Sequence, residues 1–305
     1  MTVDIVAIGE PLYEFNQQSD GRFLPGIGGD VSNVAIAASR LGARVAMVTK
    51  LGVDPFGDAI DEVWRNEGVD ASAVGRSPAA QTGIYFVSHG QTGHTFRYYR
   101  SHSAASQLAE ADIPEALVTG AKFLHVSGIS QAISATARTA VERAIAIARE
   151  AGVRLSYDTN FRERLWTAGE ARPTVAATAA RAAVLKTSLE DAEALFGLRT
   201  PEDAAAHFLA LGSAAVIVTL GAAGVLVATP GARSRIEGRR VAAVDATGAG
   251  DAFTGALLTE LCHGREIEAA ARFAVAAAAL STLGYGAVAA LPDRAAVDRF
   301  LACDH

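Results

Sequence analysis

Asp245-Ala246-Thr247-Gly248-Ala249-Gly250-Asp251-Ala252-Phe253 lies where the texture of the chain changes. Before it, the apolar run Val241 to Val244 reads as the end of a strand. After it, Phe253, Ala256, Leu257 and Leu261 recur at helical spacing. A glycine-rich turn between strand and helix gathers unpaired N–H groups around an anion, and glycine lets that anion approach the main chain closely. Phosphate is the anion such a turn predicts. Asp251 falls in or beside the first helical turn, where the dipole favours its ionised form. A carboxylate beside bound phosphate is placed to accept a proton from an attacking hydroxyl. Read alone, G-x-G-D is more often a tight turn with an N-capping aspartate, so the rest of the chain decides.

The chain has 305 residues, 50% hydrophobic and 20% charged, enough to bury a large core in one sizeable domain spanning 1–305. The net charge of −6 comes without a basic cluster, which argues against nucleic acid or an anionic membrane as partner. Only Cys262 and Cys303 occur, and none of Asn16, Asn33, Asn66 and Asn160 lies in a glycosylation sequon; a reducing cytoplasm is expected. Val3 to Ile8 lacks the basic start and long apolar core of a signal peptide. The Ala-rich run Phe273 to Leu280 is too short to span a bilayer.

In chain order, strand Val3 to Ile8 precedes Gly9-Glu10 and alternating segments around Leu12 to Phe15 and Arg22 to Leu24. A helix from Val31 to Leu41, capped by Ser32 or Asp30 and closed by Gly42, follows. Strand Val45 to Lys50 and a helix through Trp64 then give βαβα, the pattern of a parallel sheet covered on both faces. Thr82 to Ser88 and Thr95 to Arg100 break that pattern as a hairpin. The parallel pattern resumes with strand Phe123 to Val126, helix Ala135 to Glu150, strand Arg154 to Tyr157, helix Ala171 to Arg181 and strand Ala183 to Lys186. Helices Leu189 to Phe196 and Pro201 to Leu211, strands Val216 to Thr219 and Val225 to Ala228, and three closing helices complete it. The fold class expected is three-layer α/β/α with a central, mostly parallel sheet and a small β lid from about residues 10–26 and 82–103.

No Walker A, G-x-G-x-x-G or H-E-x-x-H occurs, so a phosphate cradle here is of another kind. Gly28-Gly29-Asp30-Val31-Ser32-Asn33-Val34-Ala35 through Leu41-Gly42, with Gly52-Val53-Asp54-Pro55-Phe56-Gly57, resembles the N-terminal signature of the PfkB, or ribokinase-like, family of carbohydrate kinases. Asp245 to Phe253 resembles its C-terminal signature. Two long motifs in the right order, with the resemblance covering essentially the whole chain, make coincidence improbable.

The resemblance implies an ATP-dependent sugar kinase with Asp251 as base and the N–H groups of Gly248, Ala249 and Gly250 as anion hole. It implies Lys186, Ser188, Thr219, Gly221 and Gly224 on the nucleotide side. The family's metal motif, Asn-x-x-Glu, stands here as Ser188-Leu189-Glu190-Asp191, which keeps an acid at Asp191 and loses the amide. Mg2+ is expected with the nucleotide phosphates, and some relatives hold a monovalent cation (K+) near residues matching Asp245 and Thr247. Within the family the chain is most similar to 2-keto-3-deoxygluconate kinases, through Thr82 to Tyr85, Tyr98-Tyr99-Arg100, Ser103 to Ser106 and Asp158 to Arg162; several of these features are shared with fructokinases. Gly29, Asp30, Asn33, Tyr85, Tyr98, Arg100 and Arg162 are the expected substrate residues, the two arginines offering planar forks to a carboxylate. Gly284-Tyr285-Gly286-Ala287 lacks the acid that some keto-acid kinases place there. His89, His94, His102 and His125 show no metal-ligand spacing. The aromatic faces around Phe15, Phe23, Phe86 and Phe96 predict a homodimer through the lid. A catalytically silent sugar- or nucleotide-binding relative is the competing class; it would have no use for a base at Asp251.

Overall fold

A computed structural model describes residues 3–18, 20–90 and 93–303. The hairpin tip at Gln91 and Thr92 and the side chains of His89 and His94 lie outside the described residues. The elements alternate from the start: β1 (Ile5–Ile8), β2 (Leu12–Gln17), β3 (Phe23–Gly28), α1 (Asp30–Arg40), β4 (Val45–Gly52), α2 (Pro55–Asn66), β5 (Val74–Ser77), β6 (Ile84–Gly90) and β7 (Gly93–Tyr99). Then follow α3 (Glu115–Thr119), β8 (Phe123–Ser127), α4 (Gly128–Ala132), α5 (Ala135–Glu150), β9 (Arg154–Asp158), α6 (Ala168–Ala179), β10 (Val184–Ser188), α7 (Leu189–Phe196) and α8 (Pro201–Leu211). The chain closes with β11 (Val216–Thr219), β12 (Val225–Thr229), β13 (Ala232–Ile236), α9 (Ala249–Cys262), α10 (Ile267–Ser281) and α11 (Arg294–Ala302).

Among the described residues, nine strands form the main sheet in the order β13-β12-β11-β10-β9-β8-β1-β4-β5. It is parallel from β5 to β11, and β12 and β13 add antiparallel at one edge. Strands such as β1 (Ile-Val-Ala-Ile) and β11 (Val-Ile-Val-Thr) read as nearly continuous apolar runs because both faces are covered. On one face α1, α2, α9 and α10 pack over Ile5, Met47 and Trp64; on the other α5, α6 and α8 pack over Val6, Leu124 and Val218. Fully buried side chains such as Phe123 and Phe208 each contribute about 1.5–3 kcal/mol.

The second sheet has the order β3-β2-β6-β7. Two antiparallel hairpins meet along a parallel β2–β6 seam that pairs Tyr13 with Ile84 and Phe15 with Phe86. Period-two alternation turns Leu12, Glu14 and Asn16 inward, where all three are buried. The other face carries Tyr13, Phe15 and Phe86, with the Phe15 and Phe86 rings stacked at 4.9 Å.

Two local expectations are corrected, and two edge strands were not foreseen. Val241 to Val244 is not a strand; it approaches the glycine turn as irregular chain, held by the N–H groups of Val244 and Asp245 donating to the Thr282 carbonyl at 2.7 and 3.1 Å. Helix α1 starts after Gly29 without a side-chain cap, and Ser32 instead accepts a hydrogen bond from the Trp64 indole N–H at 3.0 Å. The strands β5 and β13 lie at the sheet's two edges, where short polar sequences such as Ala-Arg-Ser-Arg-Ile give no buried periodicity.

Candidate active site

Helices α1 and α9 cross where a methyl on Gly255 would stand 2.7 Å from the Ala37 Cβ and 2.9 Å from the Ala38 nitrogen. This close crossing brings the two helix starts together. Asn33 Nδ2 donates to Asp251 Oδ2 at 2.8 Å, across 218 residues of sequence. Gly29, with φ of 98°, turns β3 into α1 so tightly that any Cβ would overlap the Glu10 carbonyl.

The turn before α9 is fixed by Asp245. Its Oδ1 accepts from the Thr247 N–H at 2.9 Å and the Thr247 hydroxyl at 2.7 Å, and its Oδ2 accepts from the Gly286 N–H at 3.0 Å. Gly248 then caps α9 with a left-handed backbone. Of the three expected anion-hole amides, that of Ala249 donates to the Ala246 carbonyl at 3.2 Å. Those of Gly248 and Gly250 have no acceptor among the described residues, and both residues line a cavity of about 1240 Å³.

This cavity lies between the C-terminal ends of the parallel strands and the inner lid face, the position ligands favour in open α/β sheets. Asp251 stands in its wall. Burial pushes the Asp251 carboxyl up to about 7, and the negative charge of Asp30 adds to the rise; Lys186 and the Asn33 hydrogen bond pull in the opposite direction. Lys186, from β10, pairs with Asp158 at 2.8 Å, and its Nζ would sit 3.1 Å from a Cβ on Gly250. Burial opposes the Lys186 charge, yet Asp158 and Asp251 outweigh it and hold the ammonium above its ordinary range. A carboxyl near neutrality, free amides and a charged ammonium therefore surround one point.

The expected substrate residues come from α1, the lid and the segment after β9. Gly29, Asp30, Asn33, Tyr85, Tyr98, Arg100 and Arg162 all line the cavity. Asp30 Oδ2 accepts from Asn160 Nδ2 at 2.8 Å. Asp30 Oδ1 and Asn33 Oδ1 are buried and have no hydrogen-bond donor among the described residues. Tyr85 and Tyr98 stack at 5.5 Å, with the Tyr85 hydroxyl donating to Glu14. Arg100 departs from the free fork expected of it: it is paired with Glu10, whose side chain is fully buried and also accepts from the Ser103 hydroxyl at 2.8 Å. Arg162 keeps an exposed side chain, one nitrogen of which donates to the Phe161 carbonyl at 2.8 Å.

Of the residues expected on the nucleotide side, Lys186 lines this cavity, whereas Ser188, Thr219, Gly221 and Gly224 lie along neighbouring strand ends. Ser188 ends β10, Thr219 ends β11, and Gly221 and Gly224 form the β11–β12 turn. Asp191 lies in the first turn of α7, capped by Ser188 Oγ at 3.0 Å. Among the described residues no three of His, Cys, Asp and Glu cluster as metal ligands, and both Asp245 oxygens already hold the turn.

Sequence reasoning missed Glu14, the Glu10–Arg100 pair, the Asp158–Lys186 pair and Asn160. The alternation of β2 signals an inward acid at Glu14. The pairs join residues that only the fold brings together.

An amide-lined turn, a near-neutral carboxyl and a lidded acceptor cavity at the end of a parallel sheet define a small-molecule phosphotransferase. Comparison with known proteins makes this specific. The pfkB family carbohydrate kinase model matches residues 3–294, and the chain belongs to that family, as an ATP-dependent carbohydrate kinase of ribokinase-like fold. It is 36% identical to 2-dehydro-3-deoxygluconokinase of Thermoproteus tenax over 301 residues, covering 95% of this chain and 91% of the relative. It is also 36% identical to probable fructokinase-2 of Arabidopsis thaliana over 305 residues, covering 94% and 92%. Fructokinase from Vibrio cholerae O395, solved with fructose, ADP and calcium ion bound, superposes with a TM-score of 0.90 at 33% identity, over 98% of this chain and 99% of that one. No helix among the described residues is long and apolar enough to cross a membrane.

Proposed function

We propose that the acceptor is 2-keto-3-deoxygluconate, phosphorylated on its terminal hydroxyl. The observation that carries this reading is the concentration of guanidinium groups at the lid end of the cavity: Arg162 and Arg164 line it near Tyr98, and their positive charges, with that of the Glu10-paired Arg100, act on that tyrosine. A sugar lying with its reacting hydroxyl at Asp251 would reach this end with its carboxylate, which guanidinium forks suit. Asp30 Oδ1 and Asn33 Oδ1, lacking donors, are acceptors ready for sugar hydroxyls.

In the reaction, the terminal hydroxyl gives its proton to Asp251. Its oxygen bonds the γ-phosphorus of ATP, and ADP leaves with the electrons of the broken bond. A carboxyl near 7 suits general-base work close to neutral pH. The Gly248 and Gly250 amides and the Lys186 ammonium stabilise charge on the transferring group. Thr219, Gly221 and Gly224 lie against the nucleotide. Mg2+ comes with the nucleotide phosphates and neutralises their charge.

The Glu10–Arg100 pair favours a second reading. With Arg100 neutralised, a neutral sugar such as fructose meets less uncompensated positive charge. Steady-state rates with both sugars, in wild type and Arg162→Ala, separate the two. Loss of Arg162 is expected to lower kcat/KM for the acid sugar by about 2–5 kcal/mol and for fructose by much less. Equal losses, or faster turnover of fructose by wild type, move the assignment to fructokinase. The aromatic outer lid face, with Phe23 at 40% and Tyr99 at 55% exposure, supports a homodimer through the lid.

A further inference from the structure

We infer that Asp191 positions the acceptor-binding segment and is not a metal ligand. Its Oδ2 is committed twice to residues that follow β9: it accepts from the Thr159 hydroxyl at 2.9 Å and from the Phe161 N–H at 3.0 Å. Thr159 is itself fully buried, its N–H donating to the Lys186 carbonyl at 3.0 Å and its Oγ1 lying 2.9 Å from Thr187 Oγ1. The acid at the start of α7 thus ties α7 to the segment 159–162.

That segment needs a tie. Asn160, between the two anchored residues, has φ of 32°, a left-handed backbone uncommon outside glycine. From there it donates to Asp30, whose other oxygen lacks a donor. Arg162 directly follows the anchored Phe161. Removing the Asp191 carboxylate leaves the buried Phe161 amide without its acceptor and the Thr159 hydroxyl with Thr187 alone. The strained Asn160 is then free to relax, and the Asp30 and Arg162 geometry goes with it. The effect falls on sugar binding, which makes Asp191 a positioning residue.

This rests on the reading of Asp30 and Arg162 as acceptor-side residues, and it holds whichever sugar is phosphorylated. The experiment therefore uses the sugar that wild type turns over fastest. Rates of Asp191→Ala, Asp191→Asn and Thr159→Val are measured against sugar at saturating MgATP, against MgATP at saturating sugar, and against free Mg2+. We expect Asp191→Ala to raise the sugar KM about 10-fold or more. The Mg2+ concentration for half-activation and the KM for MgATP should stay within about twofold. Asp191→Asn, which keeps an acceptor oxygen and loses the charge, should restore most of the sugar KM. Thr159→Val leaves the acid untouched and should also raise the sugar KM, which keeps the test open if Asp191→Ala fails to fold. A raised Mg2+ requirement in both Asp191 variants with the sugar KM unmoved overturns the inference, as does an unmoved sugar KM in Thr159→Val. Equal turnover of acid and neutral sugars would count against the keto-acid assignment alone.

Discussion

Replacing Asp251 by Asn should produce a protein that is nearly inactive and more stable. The amide has the shape of the carboxyl and can still meet Asn33, but it takes no proton from the acceptor. With ATP and sugar saturating, kcat should fall by about 10² to 10⁴. The stability change follows from the same environment. Burial and Asp30 raise the Asp251 carboxyl from 3.8 to about 7, equivalent to about 4 kcal/mol at about 1.36 kcal/mol per pH unit. The folded state holds this proton more tightly than the unfolded chain does. The stability Asp251 contributes is therefore present below about pH 4 and lost as pH rises to about 7. Asparagine suffers no such loss. The variant's advantage should grow from about pH 4 to about pH 7 and then level off, reaching at most about 4 kcal/mol in the absence of substrates. Denaturation of both proteins across that range, paired with rate measurements, tests the reasoning. Near-normal turnover would remove Asp251 from the chemistry. A stability difference that does not change with pH would refute the account of its environment.

Two further outcomes follow from the same geometry. Lys186→Met should lower kcat by about 10²-fold through loss of charge at the transferring phosphoryl group. Because the Lys186 charge holds the Asp251 carboxyl down, the acid limb of the pH–rate profile should also move to higher pH; a limb that stays in place would separate the two groups. Light scattering at micromolar concentration should give twice the chain mass for wild type and the single-chain mass for Phe86→Arg, whose ring stacks on Phe15 in the outer lid face. A monomeric wild type would remove the lid interface.

Much of the main sheet could be read from sequence because its signals are local. Helix α7 is bracketed by Ser188 and the left-handed Gly197, and α8 is opened by Thr200 and Pro201 and closed by Gly212, so their ends follow from caps that a few residues specify. The start of α6 carried such a signal in the Thr167–Glu170 capping box, yet the reading placed it three residues late. Val241 to Val244 misled because four small apolar residues suit a strand and an irregular approach equally; what settles it is a bond to Thr282, about 40 residues away. The site divided along the same line. Gly248, Gly250 and Asp251 share one turn and could be found together. The state of Arg100 depended on Glu10, 90 residues earlier, and the surroundings of Lys186 on Asp158, which no spacing rule connects.

The lid is built from hairpins that leave the main chain path and return, while the groups proposed for phosphoryl transfer stay with α9 and β10. Strands β6 and β7 together hold 14 of the 305 residues, so replacing every one of them would change whole-chain identity by about 5%. Overall resemblance is for that reason nearly blind to the acceptor, and equal identity to a keto-acid kinase and to a fructokinase is what such a division of labour produces. The same division makes this scaffold a ready host for grafting: exchanging the lid hairpin together with the segment after β9 between relatives would offer a new acceptor to an unaltered engine, so that lineages could drift between sugars without rebuilding the step that consumes ATP.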